Sequence, residues 1–339
     1  MSVNFKAFMV EKDNDGTVTS DFKDLSINDL PEGEVLIKVQ YSGINYKDAL
    51  ATVKDSGVLK SYPMVPGIDL AGTVVESDDP TIEKGEEVII TGYDLGVNHY
   101  GGFSEYARVK SDWIVKCPEN LTLEEAMIYG TAGYTAGLAI EKLEKANFMT
   151  LEGDKVLVRG ASGGVGSLAV MMLNELGYKV VASTGNKKAT NKLKELGARE
   201  VIDRISEDSN EILGKRTWQA AIDPCGGPGT PYIAKHLTNG GGVALIGMTG
   251  GNHFETSVFP FILRGVSVVG LDSVMTPMKL RQRVWRRLAT DLKSNKLHEI
   301  KNTIAFKDLK HSIETVLNHE NAGRTVSYTH LTLPTIYSV

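Results

Sequence analysis

A strand, a glycine turn and a helix follow one another without a gap between residues 155 and 177. The apolar run Val156-Leu157-Val158-Arg159 enters Gly160, and the turn Ala161-Ser162-Gly163-Gly164-Val165-Gly166 follows. Residues 167–176 then take helical spacing, ended by Gly177. Ala161, Gly163 and Gly166 occupy the three small-residue places of a dinucleotide-binding fingerprint, with alanine in the first. Such a turn must bend tightly, approach a pyrophosphate closely and present a helix N-terminus to its charge. Downstream, short apolar strands near 179–183, 200–202, 220–223, 242–246 and 266–269 alternate with helices such as 187–196. That rhythm predicts a doubly wound parallel sheet covered on both faces, an α/β fold. A plain tight turn has no need of this frame.

The end of the second strand bears on which dinucleotide binds. An NAD site places Asp or Glu there, on the ribose 2′-hydroxyl. Here the chain runs Ala182-Ser183-Thr184-Gly185-Asn186-Lys187-Lys188, with no acid. Hydroxyls, an amide and two lysines suit a 2′-phosphate, which needs donors and positive charge. This favours NADPH over NAD, although Lys187 and Lys188 also read as the start of a solvated helix.

The first third has a different texture. Residues 35–39, 72–75, 87–90 and 103–109 read as short strands, two of them after the turn signals Pro31-Glu32-Gly33-Glu34 and Lys84-Gly85-Glu86. A compact, mostly β domain is expected. Residues 121–143 then turn helical, with Thr122 and Glu125 placed as a capping box. Residues 276–295, rich in arginine and leucine, read most simply as a solvated amphipathic helix.

The chemistry left open is narrowed by what is missing. Two cysteines, Cys117 and Cys225, lie far apart, and the seven histidines show no HxxxH or HExxH spacing, so no metal site is expected. His99 reads as a loop residue, and Asp48 with Lys47 as a local ion pair. A net charge of −5 argues against nucleic acid or an anionic membrane. No apolar run approaches membrane-spanning length and no secretion segment opens the chain, so the cytoplasm is the expected location.

A small β domain followed by a nucleotide-binding fold opening on GASGGVG resembles the medium-chain dehydrogenase/reductase superfamily. Zinc-containing members carry a ligand cysteine in the first domain and a histidine in a Pro-Gly-His-Glu stretch. The matching segments here are Tyr41-Ser42-Gly43-Ile44-Asn45-Tyr46-Lys47-Asp48 and Pro66-Gly67-Ile68-Asp69, which keep neither ligand. Within the zinc-free quinone-oxidoreductase-like branch, the chain is similar to the YhdH/YhfP type of quinone oxidoreductase or acryloyl-CoA reductase. The segments that carry this are 45–50, 66–69, 130–136, 160–167, 260–264 and 271–277. The resemblance implies a GroES-like substrate domain over 1–124, completed by 297–326, around a Rossmann domain over 125–296. It also implies homodimers formed through the edge of the Rossmann sheet. Asn186 stands where the type often has arginine for the 2′-phosphate, leaving Lys187 or Lys188 to serve. Residues 327–339 depart from the pattern and are expected to be a non-native tail.

The expected cofactor contacts are Ala161, Ser162, Gly163, Gly164, Val165 and Gly166 on the turn, then Ser183, Thr184, Gly185, Asn186 and Lys187. The resemblance adds Tyr46, Thr131, Arg199, Gly247, Met248, Ile262, Ser273 and Arg324. NADPH is expected across the cleft between domains, its nicotinamide facing Asn45, Tyr46 and Thr131. Its hydride would go to an enoyl thioester of the acryloyl-CoA kind, or to a quinone. Tyr46 and Asn45 are the candidate catalytic residues, Tyr46 as proton donor directly or through water. The blander readings are that Tyr46 only packs on the nicotinamide and Asn45 only satisfies a loop backbone. An acyl-CoA substrate also needs basic residues for its phosphates, and the sequence leaves Lys54, Lys60 and Arg264 unplaced. The competing readings are a catalytically idle NADPH-binding sensor and an alcohol dehydrogenase, the latter disfavoured by the missing zinc ligands.

Overall fold

The computed structural model describes residues 3–207, 209–318 and 323–329. The chain opens with β1 (Asn4–Lys12), β2 (Val18–Ser26), β3 (Val35–Ile44), α1 (Tyr46–Leu50), β4 (Asp69–Ser77), β5 (Glu87–Thr91), β6 (Tyr106–Val109) and β7 (Val115–Lys116). Then come α2 (Leu123–Lys145), β8 (Lys155–Arg159), α3 (Gly164–Glu175), β9 (Val180–Ser183), α4 (Thr190–Glu195), β10 (Glu200–Ile202) and β11 (Trp218–Asp223). The remainder is α5 (Gly229–His236), β12 (Leu237–Leu245), α6 (Phe259–Arg264), β13 (Ser267–Gly270), α7 (Met278–Leu288), β14 (Lys301–Ala305), α8 (Leu309–Leu317) and β15 (Arg324–Tyr328). Two compact units divide it. One takes Met1–Thr131, Val274–Gln282 and Leu297–Val339, the other Ala132–Ser273 and Arg283–Lys296.

The first unit is built on a seven-stranded sheet in the order β14-β15-β3-β4-β5-β7, with β6 also pairing β3, and on the separate β1-β2 hairpin. Val35, Ile37 and Val39 alternate along β3 and pack with Leu70, Val74, Val88 and Ile90 into one core cluster, as the period-2 pattern requires. The C-terminal segment completes this sheet: β15 runs antiparallel to β3, from Thr325 opposite Ile44 to Tyr328 opposite Tyr41. Ser327 and Tyr328, expected to open a tail, therefore continue the strand, and Thr329 N–H donates to the Gln40 carbonyl. Residues 330–339 lie outside the described residues.

The second unit carries six parallel strands in the order β10-β9-β8-β11-β12-β13. Val156, Leu157 and Val158 of the central β8 are fully buried, which explains their uninterrupted apolar run. From β8 the chain winds first towards β9 and β10, then returns to build β11 to β13 on the other side. The C-terminal ends of β8 and β11 are thus the switch point where ligands bind in such sheets.

Two helices differ from expectation. α2 is interrupted at Gly130, whose φ of 47° and ψ of −153° suit only glycine. α7 is shorter than residues 276–295 and is not merely a solvated element. It buries Val284, Trp285 and Leu288, and Arg281 is fully buried too. Arg281 donates to the Thr91 carbonyl and covers the Tyr93 ring, its Cζ 4.5 Å from the centroid. Among the described residues, no helix is long and apolar enough to cross a membrane.

Candidate active site and cofactor cradle

In the second unit the glycine turn closes on itself. Gly163 N–H donates to the Gly160 carbonyl, and Ala161 N–H donates to Ser183 at the end of β9. Helix α3 starts at Gly164 with Gly163 as its N-cap, no side-chain cap and no acid in its first turn. Gly163 is exposed and Ser162, Gly164 and Val165 are half-buried, so the helix N-terminus is open to an anion. Gly166 faces inward: a Cβ there would collide with the Gly160 carbonyl oxygen and lie 2.7 Å from Ala161 Cα. The arrangement fits a dinucleotide pyrophosphate.

The neighbouring residues divide into supports and lining. Ser162 and Thr184 hydroxyls meet at 2.8 Å, tying the turn to the end of β9. Ser183 is buried, its hydroxyl donating to the Asp203 carbonyl and accepting from Ile205 N–H, so it braces the backbone. Asn186 caps the next turn by accepting from Lys188 N–H. A cavity of about 360 Å³ lies alongside, lined by Thr184, Lys187, Thr190, Val201, Ile202 and Asp203. Gly247 packs against the Pro224 backbone, Arg199 is exposed, and Ser273 is half-buried. Met248 and Ile262 are 71% and 73% exposed. Arg264 spends its guanidinium on the carbonyls of Lys235, Leu237 and Gly214.

Under the turn lies an ion pair that the sequence reading missed. Arg159 Nη1 contacts both Asp223 oxygens, at 3.2 and 3.1 Å, and its Nε donates to the Ile205 carbonyl. Asp223 in turn accepts from Cys225 N–H, Gly226 N–H and the Thr230 hydroxyl. The pair joins the ends of β8 and β11. Its signal was a charge closing each of two otherwise apolar strands.

In the first unit Asn45, Thr131 and Arg324 come together around Asp69, which is fully buried. Asn45 Nδ2 donates to Asp69 Oδ2 at 2.7 Å, and its Oδ1 accepts from Arg324 Nη1 at 3.1 Å. Thr131 N–H donates to Asp69 Oδ2 and its hydroxyl to Oδ1, at 2.9 and 2.5 Å. Arg324 Nη2 stands 3.8 Å from Asp69 Oδ2, and Nε donates to the Ile128 carbonyl. The break at Gly130 makes this possible, because backbone groups released from α2 find their partners in Asp69 and Arg324. A side chain at 130 would also fill the space of the Asp69 carboxylate. Asn45 is therefore held through both ends of its amide, and Arg324 is buried among protein groups. Tyr46, the first residue of α1, is 38% exposed.

Asp48 corrects another expectation. It is 1% exposed, and rather than pairing with Lys47 it accepts from Asn45 N–H and Ile68 N–H, stapling α1 to the segment before β4. Burial first, then the neighbouring Asp69 charge, push its carboxyl from 3.8 up to about 7, against the pull of those backbone donors. Burial also raises Asp69, with Arg324, Thr131 and Asn45 opposing, and lowers Arg324. Because the folded value of Asp48 exceeds the unfolded one, the native state holds the extra proton. Its contribution is complete below the unfolded value and is lost as pH rises to about 7. The melting temperature of the wild type relative to Asp48→Asn should therefore be highest at and below about pH 4 and decline steadily to about pH 8. A flat or rising difference would contradict this.

Among the described residues, no three His, Cys, Asp or Glu side chains form a group able to hold a metal. His99 sits edge-on to Trp113, with Nε2 2.7 Å from the Arg108 carbonyl, and both cysteines are free thiols.

Residues 31–119 match the alcohol dehydrogenase GroES-like domain, and residues 164–290 the zinc-binding dehydrogenase family. The Bacillus subtilis protein YhfP, provisionally named a quinone oxidoreductase, is 47% identical over 329 residues, 96% of this chain and 99% of that protein. The chain belongs to the medium-chain dehydrogenase/reductase superfamily. Within it the relatives are of the quinone-oxidoreductase-like YhfP and YhdH/AcuI kind. The acrylyl-CoA reductase AcuI of Ruegeria pomeroyi is 41% identical over 325 residues, 95% of this chain and 98% of that one. The crystal structure of YhfP, with NAD bound, superposes with a TM-score of 0.94 at 46% identity, covering 97% of this chain and all of that one. The YhdH oxidoreductase of Salmonella enterica, in complex with NADP, gives 0.92 at 40% identity, covering 96% and 100%. Family members thus share this fold while one was crystallised with NAD and another with NADP.

Proposed function

We infer that this protein is a zinc-independent, NADPH-dependent reductase that adds hydride to the activated alkene of an acryloyl-CoA-like enoyl thioester, or to a quinone. The observation that carries the reading is the exposed glycine cradle beside an acid-free end of β9. There, an NAD site would present a carboxylate to the ribose. The acrylyl-CoA reductase AcuI and the NADP complex of YhdH, alike over nearly their whole length, support acceptor and cofactor respectively.

NADPH, when bound, supplies the hydride. For an enoyl thioester the hydride adds at the β-carbon and a proton must reach the α-carbon. Tyr46, exposed at the start of α1, is our candidate for delivering that proton. Asn45, whose amide is taken by Asp69 and Arg324, has a positioning part: it fixes the entry to α1 on which Tyr46 stands. The backbone of residues 162–166 holds the pyrophosphate, and Thr184 with Lys187 lines the space for the adenosine end.

We also place the protein in the cytoplasm, where free thiols persist. We further propose that it works as a homodimer. Val258, Phe259 and Leu263 expose apolar surface on and before α6, and β13 is the edge of its sheet. Initial rates of NADPH oxidation with acryloyl-CoA, crotonyl-CoA and a simple quinone test the function. Turnover of at least one is expected. Tight NADPH binding with no turnover of any would make the protein an NADPH sensor instead.

A further inference from the structure

We propose that Asp48 is a positioning residue of the reduction: it holds Asn45 and the start of α1, and through them sets where Tyr46 stands. This deepens the reductase reading above and rests on it. Five residues make too short a helix to keep its own direction, since isolated helices need about 12–15 residues to be even marginal in water. The start of α1 must therefore be fixed from outside the helix. Asp48 Oδ2 accepts from Asn45 N–H at 2.8 Å, as an acid in the first turn of a helix commonly does. Its Oδ1, however, accepts from Ile68 N–H at 2.9 Å. The next residue along the chain, Asp69, takes the Asn45 amide at 2.7 Å. These contacts close a ring, from the Asn45 main chain through Asp48, Ile68 and Asp69 back to the Asn45 side chain. Without Asp48, Asn45 would keep only its side-chain partners, and α1 would lose its tie to residue 68.

Charge decides when the ring is tight. Of the elements packed around Asp48, β4 brings Asp69 and β15 brings Arg324, both buried. Helix α8 turns Leu309, Ile313 and Val316 into the core that Ala49 joins, while its Lys310, His311 and Glu314 are exposed. Lys47, beside Asp48 on α1, is exposed too. Two acids thus face one guanidinium away from water, and the charges balance only while one acid keeps its proton. Burial and the Asp69 charge raise the Asp48 carboxyl to about 7, so Asp48 is the acid that keeps it. A protonated carboxyl still has acceptor capacity for N–H donors. Above about pH 7 a second buried negative charge faces Asp69, and the ring is strained by their repulsion. The positioned state therefore belongs to the acid side and is lost as pH rises through about 7.

The test follows hydride transfer in single turnovers of the full chain with NADPH and acryloyl-CoA between pH 5.5 and 8.5, with the Kd for NADPH measured separately. The wild-type hydride step should fall about tenfold across that range, with its midpoint near 7, because small misplacements of reacting groups are costly. Asp48→Asn, of the same shape and neutral at every pH, should fold, keep one acceptor and show a flat profile. Asp48→Ala should slow the hydride step about ten- to a hundredfold at every pH while leaving the NADPH Kd within about twofold. A flat wild-type profile, needing no variant, would overturn the proposal. So would an inflection that survives in Asp48→Asn, an Asp48→Ala protein as fast as the wild type, or one whose NADPH affinity falls as far as its rate. Each of these leaves the reductase reading standing. A wild type that reduces none of acryloyl-CoA, crotonyl-CoA and a quinone would instead overturn that reading, and the positioning role with it.

Discussion

Replacing Asp69 by alanine is expected to cost about 3–5 kcal/mol of unfolding free energy, among the largest effects of any single substitution in the chain. The side chain is fully buried and accepts from Asn45, from the Thr131 amide and from the Thr131 hydroxyl, with Arg324 as its counter-ion. Its removal leaves a buried guanidinium without an anion and several donors without an acceptor. Urea unfolding followed by tryptophan fluorescence reads the loss. Combining Asp69→Ala with Arg324→Met should cost less than the sum of the two single changes, because removing both partners leaves no uncompensated charge. A loss below about 1 kcal/mol for Asp69→Ala would mean that water or rearrangement replaces the carboxylate, and the organising role assigned to it would fail.

Gly166→Ala is expected to abolish most of the stabilisation that NADPH confers. The added methyl would meet the Gly160 carbonyl and Ala161 Cα, both backbone, so the turn itself must move. Overpacking of this kind costs about 1–3 kcal/mol. A cradle displaced by that amount should bind NADPH about ten- to a hundredfold more weakly. Melting curves with and without NADPH separate the two effects. The apo protein should melt modestly lower, and the ligand-induced rise should shrink sharply, since it follows the ratio of ligand concentration to Kd. An undiminished rise would mean that the pyrophosphate does not rest on this turn.

The sequence made the frame of the second unit readable because its elements are set by local rules. Apolar strands buried on both faces and glycines at the turn announce themselves within a few residues, as does, in the first unit, Thr122 bonded reciprocally with Glu125. The β1-β2 hairpin was passed over because β2 alternates half-buried with exposed residues and carries no apolar run. The candidate site was legible only as residue types. Asn45, Thr131 and Arg324 were named, yet Asp69, which gathers them, was noted only as the last residue of a stretch that lacks the zinc-ligand histidine. Its partners lie 24 and 62 residues away for Asn45 and Thr131, a distance no spacing rule spans. Arg281 shows the same limit, since a basic residue on a charged helix looks solvated until Thr91 and Tyr93 close over it.

The most direct test of the central claim follows the hydride itself. The protein, treated with a strong chelator and then freed of it, is given NADPH dideuterated at C4 together with acryloyl-CoA, and the product is read by mass spectrometry and NMR. The account predicts one propionyl thioester per NADPH consumed, bearing one deuterium on the β-carbon, at a rate the chelator leaves unchanged. NADPH that binds but is not consumed, product without the label, or activity lost on chelation and restored by a divalent metal would contradict it.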